Sequence, residues 1–286
     1  MSDVAVVDTK NSTFSKRAFR HVLNWFFLAA LAFIVVVLFY QLIIGLISLG
    51  LGYQTHVHFG KVDTMPYYNR YWSNSRVLAL YAFPAIFFLF VTAFVLCALL
   101  FAPEEGNWRW VAFWVMVFSA LLSSSLLSMS LISAMVARGS LYQGFAVVSS
   151  WFGLSSAWSI SFITLAGFIN IALGFVCSPV LLKLAPPDFI LRKEKKSPMG
   201  IVINSFICPI ILLFPIAILL SYPGYGSFFA VMFAHFLFWL PGLFTISLAK
   251  VGERRSRGKT TPETYSSYWL VGLTLSLIII IRIFFA

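Results

Sequence analysis

Val77–Phe101 reads VLALYAFPAIFFLFVTAFVLCALLF, 25 residues without one charged side chain. As a helix it reaches about 38 Å, more than the ~30 Å hydrocarbon core of a bilayer. Six further apolar runs flank it: Trp25–Leu51, Val111–Ala137, Ala157–Leu184, Gly200–Ser221, Ser227–Ala249 and Tyr268–Ala286. Membrane β-strands need only about 9–11 residues and alternate in polarity, so runs of this length predict helices. The whole chain is 60% hydrophobic and 10% charged. A water-facing surface requires about 25% charged residues, so hydrocarbon is the expected solvent. The expected fold is an all-α polytopic transmembrane bundle of seven spans. Residues 25–286 form its single domain, and residues 1–24 form a basic, interfacial N-terminal segment.

Lys and Arg in the connections set the expected orientation. The N-terminal segment, Arg109, the connection after span four and the connection after span six together carry fifteen. The opposite side carries four: Lys61, Arg70, Arg76 and Arg138. The N-terminus is therefore expected in the cytoplasm and the C-terminus outside. Residues 141–156 are too short to cross and read as an interfacial or re-entrant segment. Spans five and six should form a tight hairpin through Tyr222-Pro223-Gly224-Tyr225-Gly226. The first apolar run is too long for the core of a cleaved signal peptide and is expected to stay as an anchor. Phe14, Ala18, Val22 and Trp25 share one helical face, which suits a helix lying along the inner surface before it enters.

The net charge of +11 sits in segments flanking apolar runs, chiefly the N-terminus and the cytoplasmic loops 185–199 and 250–267. Anionic lipid head groups are the expected partner, not nucleic acid. Cys97, Cys177 and Cys208 lie inside apolar runs without paired spacing, so no disulfide framework is expected. Compact loops and few cysteines suit a bacterial inner membrane. Asn11-Ser12-Thr13 matches a glycosylation sequon but falls on the cytoplasmic side.

No Asp or Glu lies inside a span, which disfavours proton-driven carriers and intramembrane aspartyl proteases. Polar and small residues instead form stripes. Ser119, Ser123, Ser130 and Ser133 share a face of span three. Thr164, Gly167, Asn170, Gly174 and Ser178 share one on span four, and Gln41, Gly45, Ser48 and Gly52 one on span one. Close helix packing with hydroxyls bonding across is the ordinary use of such stripes, and the lining of a polar cavity is the functional one. Pro209 and Pro215 free the carbonyls of Ser205 and Ile211, and Pro84 disturbs span two. Counted from the outer boundary at about 1.5 Å per residue, Gln41, His235, the Ile211 carbonyl and Asn170 fall between about 12 and 20 Å deep. Together they are the candidate binding site in the outer half. His235 is the deep ionisable residue of the set, and a bis-histidine haem site would need a second one. Arg282 is expected to snorkel outward.

The outer loop 52–76 carries Tyr53, His56, His58, Phe59, Asp63, Tyr67, Tyr68, Tyr71 and Trp72. If extended, His56-Val57-His58 presents both imidazoles on one face, and Asp63 would complete a zinc-like set. The aromatics suit an interfacial belt or a partner surface. Glu104-Glu105-Gly106-Asn107-Trp108-Arg109 fits EExxxR and resembles the first motif of the CAAX-processing and bacteriocin-protection family of intramembrane proteases. The resemblance covers these six residues. It implies a catalytic glutamate pair with histidines on later helices; Val231 stands where the family's FxxxH pattern has Phe, and no histidine follows His235. A charged turn between spans two and three accounts for the same residues.

The residues support three functional readings. The first is a small-solute permease or transport-associated subunit using the outer-half polar site. The second is a non-catalytic assembly or sensory subunit binding a partner through loop 52–76. The third is a metal-dependent membrane enzyme using His56, His58 and Asp63. No complete catalytic motif is present, and the sequence requires no cofactor.

Overall fold

A computed structural model describes residues 3–59, 61–65, 72–101, 108–135, 143–184, 202–221, 226–245, 273–278 and 280. It is a multi-pass helical bundle with six helices long and apolar enough to cross a membrane. These are Val22–Gly50, Asn74–Phe101, Trp108–Ile132, Ser156–Leu181, Ile203–Leu220 and Gly226–Phe244. The expected seventh span falls largely outside the described residues. Its helical part, 273–278, carries a buried Thr274. Inner and outer ends are assigned by the charge count.

Helix α1 (Asp3–Gly50) is one unbroken helix of 48 residues. The expected surface-lying segment around Phe14–Phe26 therefore continues directly into the span, without the break that a turn into the membrane plane requires. The helix ends where Gly52, at φ 77°, reverses the chain and Tyr53 N–H bonds Ser48 O at 2.9 Å. A left-handed residue after a helix favours glycine because a Cβ is penalised there.

The next segment departs from the expected surface loop. Strands β1 (Gln54–His58) and β2 (Lys61–Met65) form an antiparallel hairpin. It folds back along α1 into the bundle. The Gln41 Nε2 amide donates to His58 O at 2.5 Å. Phe59, at the tip, is fully buried against Phe33 (ring centroids 6.3 Å apart) and Phe229 (6.1 Å). Phe33 lies about 25 Å below Gly50 along the helix, so the hairpin tip reaches far into the bundle. Strand backbone survives at such depth only when its polar groups are paired and protein surrounds it.

Space for the hairpin opens where span six begins, because Gly226 starts its helix only three residues before Phe229, which packs level with Phe33, well below the end of α1 at Gly50. Phe229, near the start of its span, meets Phe33 at 5.3 Å.

Span two comprises α2 (Asn74–Val77), a π turn (Leu78–Ala82) and α3 (Phe83–Phe101). The third span is α4 (Trp108–Met135), and α5 (Phe145–Trp151) and α6 (Ser156–Leu184) come after it. Span five has a π turn (Ile203–Ile207) before α7 (Cys208–Leu220). Span six runs as α8 (Gly226–Ala234), a 3-10 turn (His235–Trp239) and α9 (Leu240–Phe244). Each irregular turn ends two residues before a proline: Pro84, Pro209 and Pro241. Proline lacks its N–H and collides with the carbonyl four residues back, so the preceding turn widens or tightens.

Helix α4 is the central helix, with 83% of its spanning window buried against 28% for spans two and four. It also carries Ser119, Ser123, Ser124, Ser125, Ser128 and Ser130, all buried. Lipid cannot bond hydroxyls, so the helix that carries them is drawn inside. At its inner end Trp114 stacks on Phe206 (5.4 Å), and Trp25 packs on Trp110 (4.4 Å) and Trp114 (5.8 Å). Gly144, at the start of α5, has φ 55° and lies so close to Leu126 that a Cβ would sit 2.9 Å from the Leu126 carbonyl oxygen. At the other end of α5 Trp151 Nε1 donates to Asn74 Oδ1 at 2.9 Å. Leu126 lies about 14 Å below Met135 along α4, so α5 starts well inside the bundle.

Candidate functional site

The four candidate binding residues do not form one cluster. Gln41 is buried on α1 and holds the hairpin through His58 O, while its Oε1 has no partner among the described residues. His235 is buried in the 3-10 turn, with Nε2 at 2.8 Å from Ser128 Oγ on α4. Ser128 Oγ in turn bonds Ser124 O at 2.8 Å. Asn170 on α6 accepts from Trp239 Nε1 at 2.7 Å and donates to Ala166 O at 2.8 Å. Ile211 turns its side chain to the outer apolar surface and is 61% exposed.

Asn170 and His235 therefore belong to one neighbourhood, because Trp239 and His235 lie one turn apart on the same segment. Gln41 does not join them. Phe33 meets Phe233 at 6.0 Å, and Gln41 lies about 12 Å further out along α1 than Phe33. His235 follows Phe233 inward, so the expected common layer splits into an outer group at the hairpin and an inner group at Ser128–His235. Depth counted along the sequence starts every span at one boundary, and the start of span six, with Phe229 level with Phe33, breaks that assumption.

Hydrogen-bond economy orients the histidine. A hydroxyl has one proton, and Ser128 spends it on Ser124 O when His235 donates from Nε2. The opposite tautomer would bury an N–H at Nδ1, which has no partner among the described residues. An unmet donor costs about 1–3 kcal/mol, so Nε2–H is the favoured form and Nδ1 keeps a bare lone pair. In that state Ser128 donates to Ser124 O and accepts from His235, so the pair ties α4 to the 3-10 turn of span six.

The polar stripes serve packing over most of their length. Ser123 Oγ donates across to Ala85 O at 2.7 Å, whereas Ser125 and Ser130 bond back within α4. On α6, Gly174 and Gly242 meet backbone to backbone: a Cβ on Gly242 would lie 2.2 Å from Gly174 C and Phe175 N. Small residues here let α6 and α9 touch, as in close-packed membrane helices.

In the hairpin, His56 and His58 stand on one face of an extended strand, as the sequence suggests, and the Cα register sets His56 opposite Asp63 and His58 opposite Lys61. The Asp63 side chain lies outside the described residues, among which no group of three His, Cys, Asp or Glu is placed to hold a metal ion. Glu104 and Glu105 also lie outside them. Arg109 is buried, and its Nη2 donates to Leu99 O at 2.6 Å, closing the last turn of α3. A cation at a helix C-terminus satisfies free carbonyls and meets the favourable end of the dipole. Loops 185–199 and 250–267, Tyr222–Tyr225 and Arg282 lie outside the described residues, as does most of the Tyr67–Trp72 aromatic cluster.

Two contacts of the candidate site escape the sequence reading. Ser128 lies beside the serine stripe but is not part of it. The hairpin has a legible signal: two five-residue segments, QTHVH and KVDTM, separated by Phe59-Gly60. Two residues including glycine between alternating segments are a hairpin signature.

These features define a multi-pass α-helical membrane protein with a β-hairpin and a short helix packed into its bundle. No family model, curated protein or solved structure matches the chain.

Proposed function

We propose that the protein is a small-solute permease or transport-associated subunit of a bacterial inner membrane, acting through polar groups in the outer half of the bundle. The observation that carries this reading is the hairpin seated inside the bundle by Gln41 and Phe59. Non-helical backbone at membrane depth belongs where protein or a water-filled path surrounds it, and transport bundles use broken helices in the same way. Three spans broken next to prolines and the spare acceptors Gln41 Oε1 and His235 Nδ1 add support. Single cysteines at Gln41, Asn170 and His235, on a background lacking the native three, provide the test. An impermeant thiol reagent added outside should modify Gln41→Cys fastest and His235→Cys slowest. Three unreactive positions in a folded protein would end the reading.

The facing of His56 and Asp63 supports one narrower proposal, a divalent-metal site on the hairpin using His56, His58 and Asp63. Metal analysis of purified protein should then find zinc that His56→Ala and His58→Ala remove. Equal metal in the variants and the parent protein would refute it.

A further inference from the structure

The segment from Tyr53 through β1 is tied to α1 at two levels. Tyr53 N–H bonds Ser48 O at 2.9 Å above, and Gln41 Nε2 bonds His58 O at 2.5 Å below. Gly45 lies between, on the same helical face as Gln41 four residues before it and Ser48 three residues after it. It is buried, yet a Cβ built on it would meet no atom of the described residues within 4 Å. Among the described residues, open space for at least a methyl group therefore lies against α1 at Gly45. The polar atoms flanking it are Gln41 Oε1 and Ser48 Oγ, on side chains 1% and 0% exposed, and neither has a partner among the described residues.

Both atoms have hydrogen-bonding capacity to spare. An amide oxygen accepts hydrogen bonds and cannot donate, whereas a serine hydroxyl does either. Their residues stand about 10 Å apart along the helix axis, so a molecule that reaches both needs polar groups at its two ends. Gln41, Gly45 and Ser48 are uncharged, and an ion would be stripped of water here without a counter-charge. We infer that the space between α1 and β1 at Gly45 is a binding site for a small uncharged hydrogen-bond donor of the amide or polyol class, held by Gln41 Oε1 and Ser48 Oγ. As the solute site, it rests on the permease reading; as a binding site, it does not.

The experiment has a binding arm and a flux arm, both on the full chain. Acetamide and glycerol are the probes, with methylammonium as the charged comparator. Saturation-transfer NMR on the detergent-solubilised protein measures binding, and light scattering of proteoliposomes measures entry. Gly45→Leu fills the space and Gln41→Leu removes the acceptor. Each should reduce acetamide or glycerol binding at least about fivefold, the scale of one or two lost hydrogen bonds. Should Gly45→Leu fail to insert, Gly45→Ala, whose methyl fits, should still halve the signal, roughly the effect of one weakened bond. Binding that the variants lose, without flux in the parent protein, upholds the site and removes the permease reading. Flux in the parent protein, with binding and entry unchanged in every variant, removes the site and leaves the permease reading. Methylammonium binding in preference to both neutral probes overturns the assigned class. Absence of both binding and flux overturns both.

Discussion

Replacing Gly242 with alanine tests the helix crossing on which the inner polar group depends. The added Cβ would sit 2.2 Å from Gly174 C and Phe175 N, and the reciprocal Gly174→Ala places one 2.5 Å from Trp239 O. Carbon contacts settle near 3.5–4.0 Å, so α6 and α9 must part by more than about 1 Å. Both partners are backbone, and no side chain can rotate away. That displacement stretches the Trp239–Asn170 bond from 2.7 Å past the hydrogen-bond limit. Overpacking costs about 1–3 kcal/mol, and a lost interhelical bond in a membrane averages about 0.6. The expected destabilisation is therefore about 2–4 kcal/mol. Gly167→Ala is the internal control, since its Cβ would meet only Phe238, at an ordinary 3.8 Å. That change should be neutral or gain up to about 1 kcal/mol from helix propensity. Denaturation of purified protein in mixed micelles reads all three. The double variant Gly174→Ala, Gly242→Ala should cost less than the sum, because helices already separated accommodate the second methyl. Equal stability of Gly242→Ala and Gly167→Ala would refute the crossing.

The same geometry predicts two further outcomes. Phe59→Ala removes a fully buried ring with two aromatic neighbours; at about 3–5 kcal/mol for such truncations, the isolated hairpin should not hold its place. Hydrogen exchange at Thr55–His58 should then rise by at least about a hundredfold, and unchanged protection would show that the anchor lies elsewhere. Ser128→Ala and His235→Ala should couple by about 0.6–1.7 kcal/mol in a double-mutant cycle, the range for interhelical bonds. Additive effects would remove the Ser128–His235 bond from the account.

Much of the bundle was legible because bilayer physics is one-dimensional. A run such as Val77–Phe101 declares a span by its length and lack of charge, whatever it packs against. Proline positions likewise announced irregular turns in spans two and five. The candidate site was less legible, since depth counted along each helix does not say where that helix starts. Ile211 shows the limit most simply: Pro215 marks its carbonyl in the sequence, but the outward direction of its side chain is set only by the packed bundle.

The amino-acid sequence alone determined the medium, the helical class and the residues polar enough to matter inside it, because transfer from water to hydrocarbon is set residue by residue. Tertiary structure decided which of those residues meet. It set the start of span six level with Phe33, drew the hairpin in above it, and separated Gln41 from His235. Those outcomes depend on contacts between segments distant in the chain, such as Phe59 with Phe229, whose energies exist only once the helices have packed.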